Sequence, residues 1–305
     1  MNRRRFLQQT LGTTAVLSAT RAPAASTSAP ASPPFGDKEL PSLIDTNVHL
    51  FDWPYRRLKY AQTADLVAKL KRHRVREAWA GSFEALLTKD VSGVNARLAE
   101  ECRRHPGFLV PIGTVNPMWP DWEEDLRRCH EVHRMPGIRL YPAFHGLVMN
   151  APEVMHLLQR ATARGLFVQI ALELEDPRVH HPTLQLPPLD VKTLAAGLAV
   201  VPEARIQLLD CTFNLQLPLA QPLLDLAHVS FDVSTLESVG VLDRLLNERA
   251  GGRSSPLALE RLLFGSHAPY FPFEAALLRL FESPLTRGQL EALMAANARR
   301  FRTPV

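Results

Sequence analysis

Ser42-Leu43-Ile44-Asp45-Thr46-Asn47-Val48-His49-Leu50-Phe51 is an apolar run that becomes polar at alternate positions as it ends. In an extended strand successive side chains take opposite faces, so Asp45, Asn47 and His49 are expected on one side and Ile44, Val48 and Leu50 on the other. A strand of this kind delivers polar groups to one end of a closed sheet. Working outward from it, the pattern repeats. Apolar strand-like runs near Val75–Gly81, Phe108–Val115, Ile138–Tyr141, Leu166–Leu172, Ile206–Asp210, Val229–Ser234 and Leu262–His267 alternate with helical stretches.

Eight strand-helix alternations of roughly thirty residues each, with strands apolar on both faces, predict a parallel sheet closed as a (β/α)8 TIM barrel. Two further helices, near Phe273–Phe281 and Arg287–Arg300, are expected to follow it in the same single domain. The rival is an open doubly wound sheet. No Gly-x-Gly-x-x-Gly follows any strand, so a dinucleotide-binding version of that rival loses its main support.

Ahead of the barrel, Arg3-Arg4-Arg5-Phe6-Leu7, a weakly apolar Thr10 to Ala19 and Ala22-Pro23-Ala24 read as a twin-arginine signal peptide over residues 1–24. A Ser/Ala/Pro linker follows over 25–39, leaving 40–305 for the barrel. The expected destination is the periplasm or the exterior, by way of the twin-arginine export machinery. The leader's apolar run is too short for a stable membrane anchor. Four of the 35 Lys and Arg residues are leader arginines, so 31 remain to balance 31 Asp and Glu. The basic charge of the whole chain is thus a property of the leader and gives no reason to expect a nucleic-acid partner. Cys102, Cys129 and Cys211 have neither metal-like nor redox-pair spacing and read as buried thiols.

Two segments carry a resemblance. Asp45-Thr46-Asn47-Val48-His49 is similar to the Asp-x-His-x-His that opens the metal site of the amidohydrolase superfamily, with Asn47 in place of one histidine. Arg261-Leu262-Leu263-Phe264-Gly265-Ser266-His267-Ala268-Pro269 resembles the last-strand Gly-Ser-Asp-x-Pro of the amidohydrolase-related branch, with His267 in place of the aspartate. The resemblance covers roughly residues 40 to 303. It implies a TIM-barrel hydrolase, with a decarboxylase as the neighbouring chemistry, acting on a small-molecule substrate. The superfamily also places histidines at the ends of strands 5 and 6, where this chain has Glu173 and Asp210.

In a parallel barrel the reactive groups come from strand C-termini and the loops after them. That rule selects His267, His49 and Tyr141 as catalytic, the histidines as proton carriers near neutral pH and the phenol as a stabiliser of negative charge. Arg139 and Arg178 are expected to grip a substrate carboxylate, since a planar guanidinium holds two oxygens at once. The alternative for Arg139 is an ion pair with a barrel acid such as Asp232. Asn47, His145, His180 and His181 complete the substrate-binding set, the last two in the loop Asp176-Pro177-Arg178-Val179-His180-His181-Pro182.

The cofactor stays open. A divalent metal such as zinc would rest on His49, Glu173 and Asp210, and a neutral Asn47 weakens such a site. Three functions follow: a hydrolase of a small carboxylate, lactone or ester-like molecule without a tightly bound metal; a metal-dependent hydrolase or decarboxylase with a rebuilt site; and a barrel that binds without catalysing. Some lactonases of the resembled branch work without a metal. The sequence leaves the substrate and homo-oligomerisation undecided.

Overall fold

The computed structural model describes residues 41–187, 190–211, 217–236, 239–247 and 257–303. The expected leader and linker, and Asn214 among the polar residues after strand 6, lie outside them.

Eight parallel strands follow one another: β1 (Leu43–Leu50), β2 (Val75–Ser82), β3 (Leu109–Pro111), β4 (Gly137–Leu140), β5 (Phe167–Ala171), β6 (Ile206–Leu209), β7 (Val229–Asp232) and β8 (Leu262–Leu263). Helices α1 (Thr63–Arg72), α2 (Val91–Arg103), α3 (Trp122–Arg127), α4 (Pro142–His145), α5 (Pro152–Ala163), α6 (Val191–Ala199), α7 (Leu217–Leu224) and α8 (Val241–Asn247) separate them. Then α9 (Phe273–Glu282), α10 (Arg287–Glu291) and α11 (Asn297–Arg302) end the chain.

The ladder runs β1-β2-β3 and β4-β5-β6-β7-β8. Two narrow seams join these arcs. Gly113 bridges to Ile138, with the Arg139 amide donating to the Gly113 carbonyl at 2.6 Å. Val48 bridges to Ala268, where Thr46 N donates to Phe264 O at 2.9 Å and His267 N to Asn47 O at 2.8 Å. First and last strands therefore meet, as a TIM barrel requires.

Several strands end earlier than their apolar runs suggest, and the reason is local. Asp210 and His267 have φ of 55° and 56°, left-handed values that stop a strand and turn its next side chain. Tyr141 leaves β4 to precede α4. Asp121 sits at the N-cap of α3 with φ 59° and makes no side-chain cap bond. The alternation expected along β1 is also interrupted. A register irregularity between Asp45 and Val48 lets Thr46 face the interior together with Asn47.

The interior is layered. At one level Ile44, Trp79, Ile112, Phe167 and Leu263 pack with Ala295 and Ala298 from the C-terminal segment. Above them lies a polar belt. Arg139, Gln169 and Gln207 are register partners on β4, β5 and β6, so they share one level. Arg139 Nε donates to Gln169 Oε1 at 2.9 Å, Gln169 Nε2 to Gln207 Oε1 at 2.8 Å, and Gln207 Nε2 to Thr46 Oγ1 at 2.7 Å. Such a belt is sustained inside a barrel only because its members satisfy one another. At the mouth Trp53, Phe83, Tyr141, Leu174, Leu209 and Tyr270 form a second apolar layer. All three cysteines are buried free thiols, and burial pushes Cys102 and Cys129 up to about 12.

Candidate active site

Between the polar belt and the aromatic mouth, side chains from both ends of the chain converge. His49 and His267 lie edge to face with ring centroids 5.1 Å apart, and Tyr141 is 6.0 Å from His49. Phe83 stacks on His49 at 4.4 Å, nearly parallel. His267 Nδ1 is 3.0 Å from Asp210 Oδ1, and its Nε2 is 3.0 Å from the Leu174 carbonyl. A carbonyl oxygen only accepts, so Nε2 is the donor there and Nδ1 faces the carboxylate.

The carboxylates are organised by Asn47. Its amide nitrogen donates to Asp210 Oδ1 and to Asp232 Oδ2, both at 2.8 Å. Ser234 adds a bond to Asp210 Oδ1 at 2.9 Å, and the Asp210 amide donates to Asp232 Oδ1 at 3.0 Å. Burial first, and then the charge of Asp210, raises Asp232 to about 7. Gly265 is what makes room: a Cβ there would stand 2.6 Å from Asp232 Oδ2 and 2.9 Å from Asn47 Cβ. Asp45 plays a different part. It accepts from Ser266 Oγ at 2.5 Å and Ser266 N at 3.0 Å, tying β1 to the segment after β8, and burial raises it to about 7.

Arg139 is fully buried. Besides Gln169 it donates to Val48 O at 3.0 Å, and its Nη1 is 3.0 Å from His49 Nε2. A guanidinium has no acceptor, so His49 Nε2 presents its lone pair and the ring proton resides on Nδ1. Burial, and then the charge of Arg139, holds His49 well below the usual histidine range and keeps the ring neutral. The alternative of an Arg139–Asp232 ion pair is not what forms, since Asp232 is held by Asn47 and the Asp210 amide. Burial raises the Tyr141 phenol to about 12, so it remains a hydrogen donor.

This donor set does not fit a divalent metal. His49 would bind one through Nε2, where the guanidinium stands, or through Nδ1, which would put a hydrogen on Nε2 against that same cation. Among the described residues no group of three or more His, Cys, Asp or Glu side chains is arranged to hold an ion. The expected trio of His49, Glu173 and Asp210 does not form such a group. Glu173 is half-buried past the end of β5, and Asp210 is committed to Asn47, Ser234 and the contact with His267.

The remaining expected residues spread outward. His145 Nε2 bonds the Ala85 carbonyl at 2.9 Å, with its ring 5.9 Å from Tyr141. Arg178 is exposed and paired with Asp176, whose carboxyl it draws down to about 2. His180 meets the Glu175 carbonyl at 3.1 Å, and His181 stacks on Tyr55 at 5.5 Å. Residues passed over in the sequence complete the mouth: Trp53, Phe83, Glu175 and Tyr270. Each had an available clue, its position in the loop that follows the end of β1, β2, β5 or β8.

Three polar atoms of this centre are buried without a hydrogen-bond partner, Asn47 Oδ1, His49 Nδ1 and Asp210 Oδ2, and His267 Nδ1 faces only the Asp210 carboxylate. Buried polar atoms are nearly always satisfied, so exceptions gathered in one centre make it the candidate site.

The amidohydrolase family model matches residues 44–199. Among solved structures, 5-carboxyvanillate decarboxylase from Novosphingobium aromaticivorans is similar with a TM-score of 0.65 at 11% identity, over 89% of this chain and 99% of its own. A probable 2-pyrone-4,6-dicarboxylic acid hydrolase from Acinetobacter baumannii, solved with citric acid bound, has a TM-score of 0.60 at 16% identity, over 86% and 99%. Amidohydrolase 2 from Bifidobacterium longum subsp. infantis gives 0.57 at 17%, over 86% and 98%. At these identities the likeness is one of fold. No curated protein matches the chain.

Proposed function

Because this chain belongs to the amidohydrolase family, we propose that it is a hydrolase of a small carboxylate-bearing lactone or ester, working through protein groups rather than a metal-bound water. One observation carries the reading: His267 Nδ1 and Asp210 Oδ1 stand 3.0 Å apart, with the second Asp210 oxygen buried and unpartnered beside them. The hydrolase chemistry of the Acinetobacter neighbour, a lactone dicarboxylate by its name, points the same way.

Asp210 Oδ2 is the free basic atom. Asn47 and Ser234 hold Oδ1, so Oδ2 is fixed in direction, and a water placed on it gives up a proton as its oxygen attacks the acyl carbon. Asp210 then returns that proton from Oδ2 to the departing oxygen as the acyl C–O bond breaks, while His267 Nδ1, 3.0 Å from Oδ1, holds the carboxyl in place. Negative charge collects on the carbonyl oxygen. Two groups are suited to it: the Arg139 cation in a water-excluded interior, and the Tyr141 phenol, still protonated. His49 does not titrate in the working range; it stays neutral and presents Nδ1–H as a further donor.

Decarboxylation is the second reading, favoured by the same buried cation and by the decarboxylase among the neighbours. A panel of lactones, esters and aromatic carboxylates, assayed with wild type and His267→Ala, tests both. Lactone or ester turnover that falls by about 10²-fold or more in the variant is expected. Equal turnover by the two proteins removes the mechanism, and carbon dioxide release without hydrolysis selects the second reading. Export to the periplasm and self-association are likewise proposals, checked by fractionation and by sedimentation.

A further inference from the structure

His49, His267, Asp210, Asn47 and Arg139 are all 0% exposed, so a substrate reaches them only if part of the mouth moves. The stretch over the mouth is the connection from β1 to α1. Residues 52–60 form no helix or strand, and the stretch is bounded by Phe51 and Tyr60, with φ of 68° and 67°. Bulky aromatic residues rarely adopt left-handed backbone, and such positions mark switch points. Within the stretch, Trp53 is the plug. It packs at 5.2 Å on Phe83 and at 5.0 Å on Tyr270, the rings that themselves lie against His49 and His267. Its indole N–H is buried without a partner.

Three residues fasten it. Arg56 donates to Glu175 Oε1 at 2.6 Å, Tyr270 donates its phenol hydrogen to the same oxygen, and the guanidinium lies 4.6 Å over the Tyr270 ring. The two partners are unlike. The Arg56 side chain is 46% exposed, at the rim of a cavity of about 420 Å³ shared with Arg57, Lys59, Lys69 and Phe271, whereas the Glu175 side chain is 2% exposed with Oε2 unpartnered. A cation open to solvent thus holds a carboxylate that is sunk in the mouth and only half satisfied.

We infer that residues 52–60 are a lid, and that Glu175 occupies on Arg56 the place of a substrate carboxylate, which displaces it as the lid opens. Glu175 is an internal competitor, and Arg56 a specificity-determining residue for anionic substrates. The substrate class rests on the function proposed above; the lid and its fastening do not.

Hydrogen exchange of the peptide over 51–62, together with benzoate titration of the intact chain, tests this without any turnover. Replacing the charged acceptor in Glu175→Gln is expected to speed exchange of that peptide about tenfold and tighten benzoate several-fold. Arg56→Gln also speeds exchange but weakens benzoate about tenfold. Tyr270→Phe keeps both charges, loosens the lid by loss of one bond, and decides the matter where Glu175→Gln fails to fold. Unchanged exchange in Tyr270→Phe and any folded Glu175→Gln, benzoate bound equally by Arg56→Gln and wild type, or no benzoate binding by wild type each overturns the inference. Hydrolysis lost from the substrate panel with these shifts intact would instead count against the proposed reaction alone.

Discussion

Arg139 directs a guanidinium nitrogen at Nε2 of His49, 3.0 Å away, in the buried centre of the barrel. The contact fixes the tautomer of His49 and sets a permanent cation beside the reacting groups.

Replacing Arg139 with Met removes the cation and strands the Gln169 side-chain oxygen and the Val48 carbonyl it satisfied. Unsatisfied buried acceptors cost about 1–3 kcal/mol each, so a loss of about 2–6 kcal/mol is expected, read as a fall of about 5–20 °C in Tm. Arg139→Lys restores charge without the planar fork, and is expected to recover part of the stability and little of the turnover.

Asp232 and Asp45 are both raised to about 7 from an ordinary 3.8, chiefly by burial. Between those values the folded chain keeps protons that the unfolded chain has released. Stability contributed by these groups is therefore full at the acid end and declines as pH rises through about 4 to 7. Urea denaturation across that range is expected to show the decline, and Asp232→Asn to about halve its slope while lowering stability throughout. A slope unaltered in the variant would remove Asp232 as its source.

Prolonged dialysis against a chelator is expected to leave both Tm and turnover unchanged, because the Arg139 cation stands at the nitrogen a metal would need. Elemental analysis of protein never exposed to chelator should find less than about a tenth of an equivalent of any transition metal. A stoichiometric metal whose removal lowers Tm would contradict the arrangement.

Gly81 lies where Arg139 and Tyr141 come together. A Cβ at this position would be 2.7 Å from Arg139 Nη1 and 2.9 Å from Tyr141 Oη. Gly81→Ala should displace both donors and cost about 1–3 kcal/mol, with a larger loss in kcat than in substrate affinity. Steady-state kinetics with a calorimetric scan would separate the two effects.

The barrel was legible because alternation and apolar strands are local properties. So was much of the polar set: His49, Asn47, Tyr141, Arg139, Asp210, Asp232 and His267 all follow from the rule that strand ends carry chemistry. What each does was not legible. Arg139 looked like a carboxylate grip, yet its donors go to backbone and to Gln169, a choice made by register partners on strands distant in sequence. Arg178 looked like its equal and is an exposed partner of Asp176, because its loop turns back on itself. Nothing local tied Arg56 to Glu175, 119 positions on.

The join between β1 and the segment after β8 links Asp45 to Ser266 across 221 positions. A growing polypeptide consequently has no working centre on the ribosome until Ser266 and His267 have been synthesised. Any frameshift or nonsense codon upstream of that join yields an inert fragment, never a weakened enzyme.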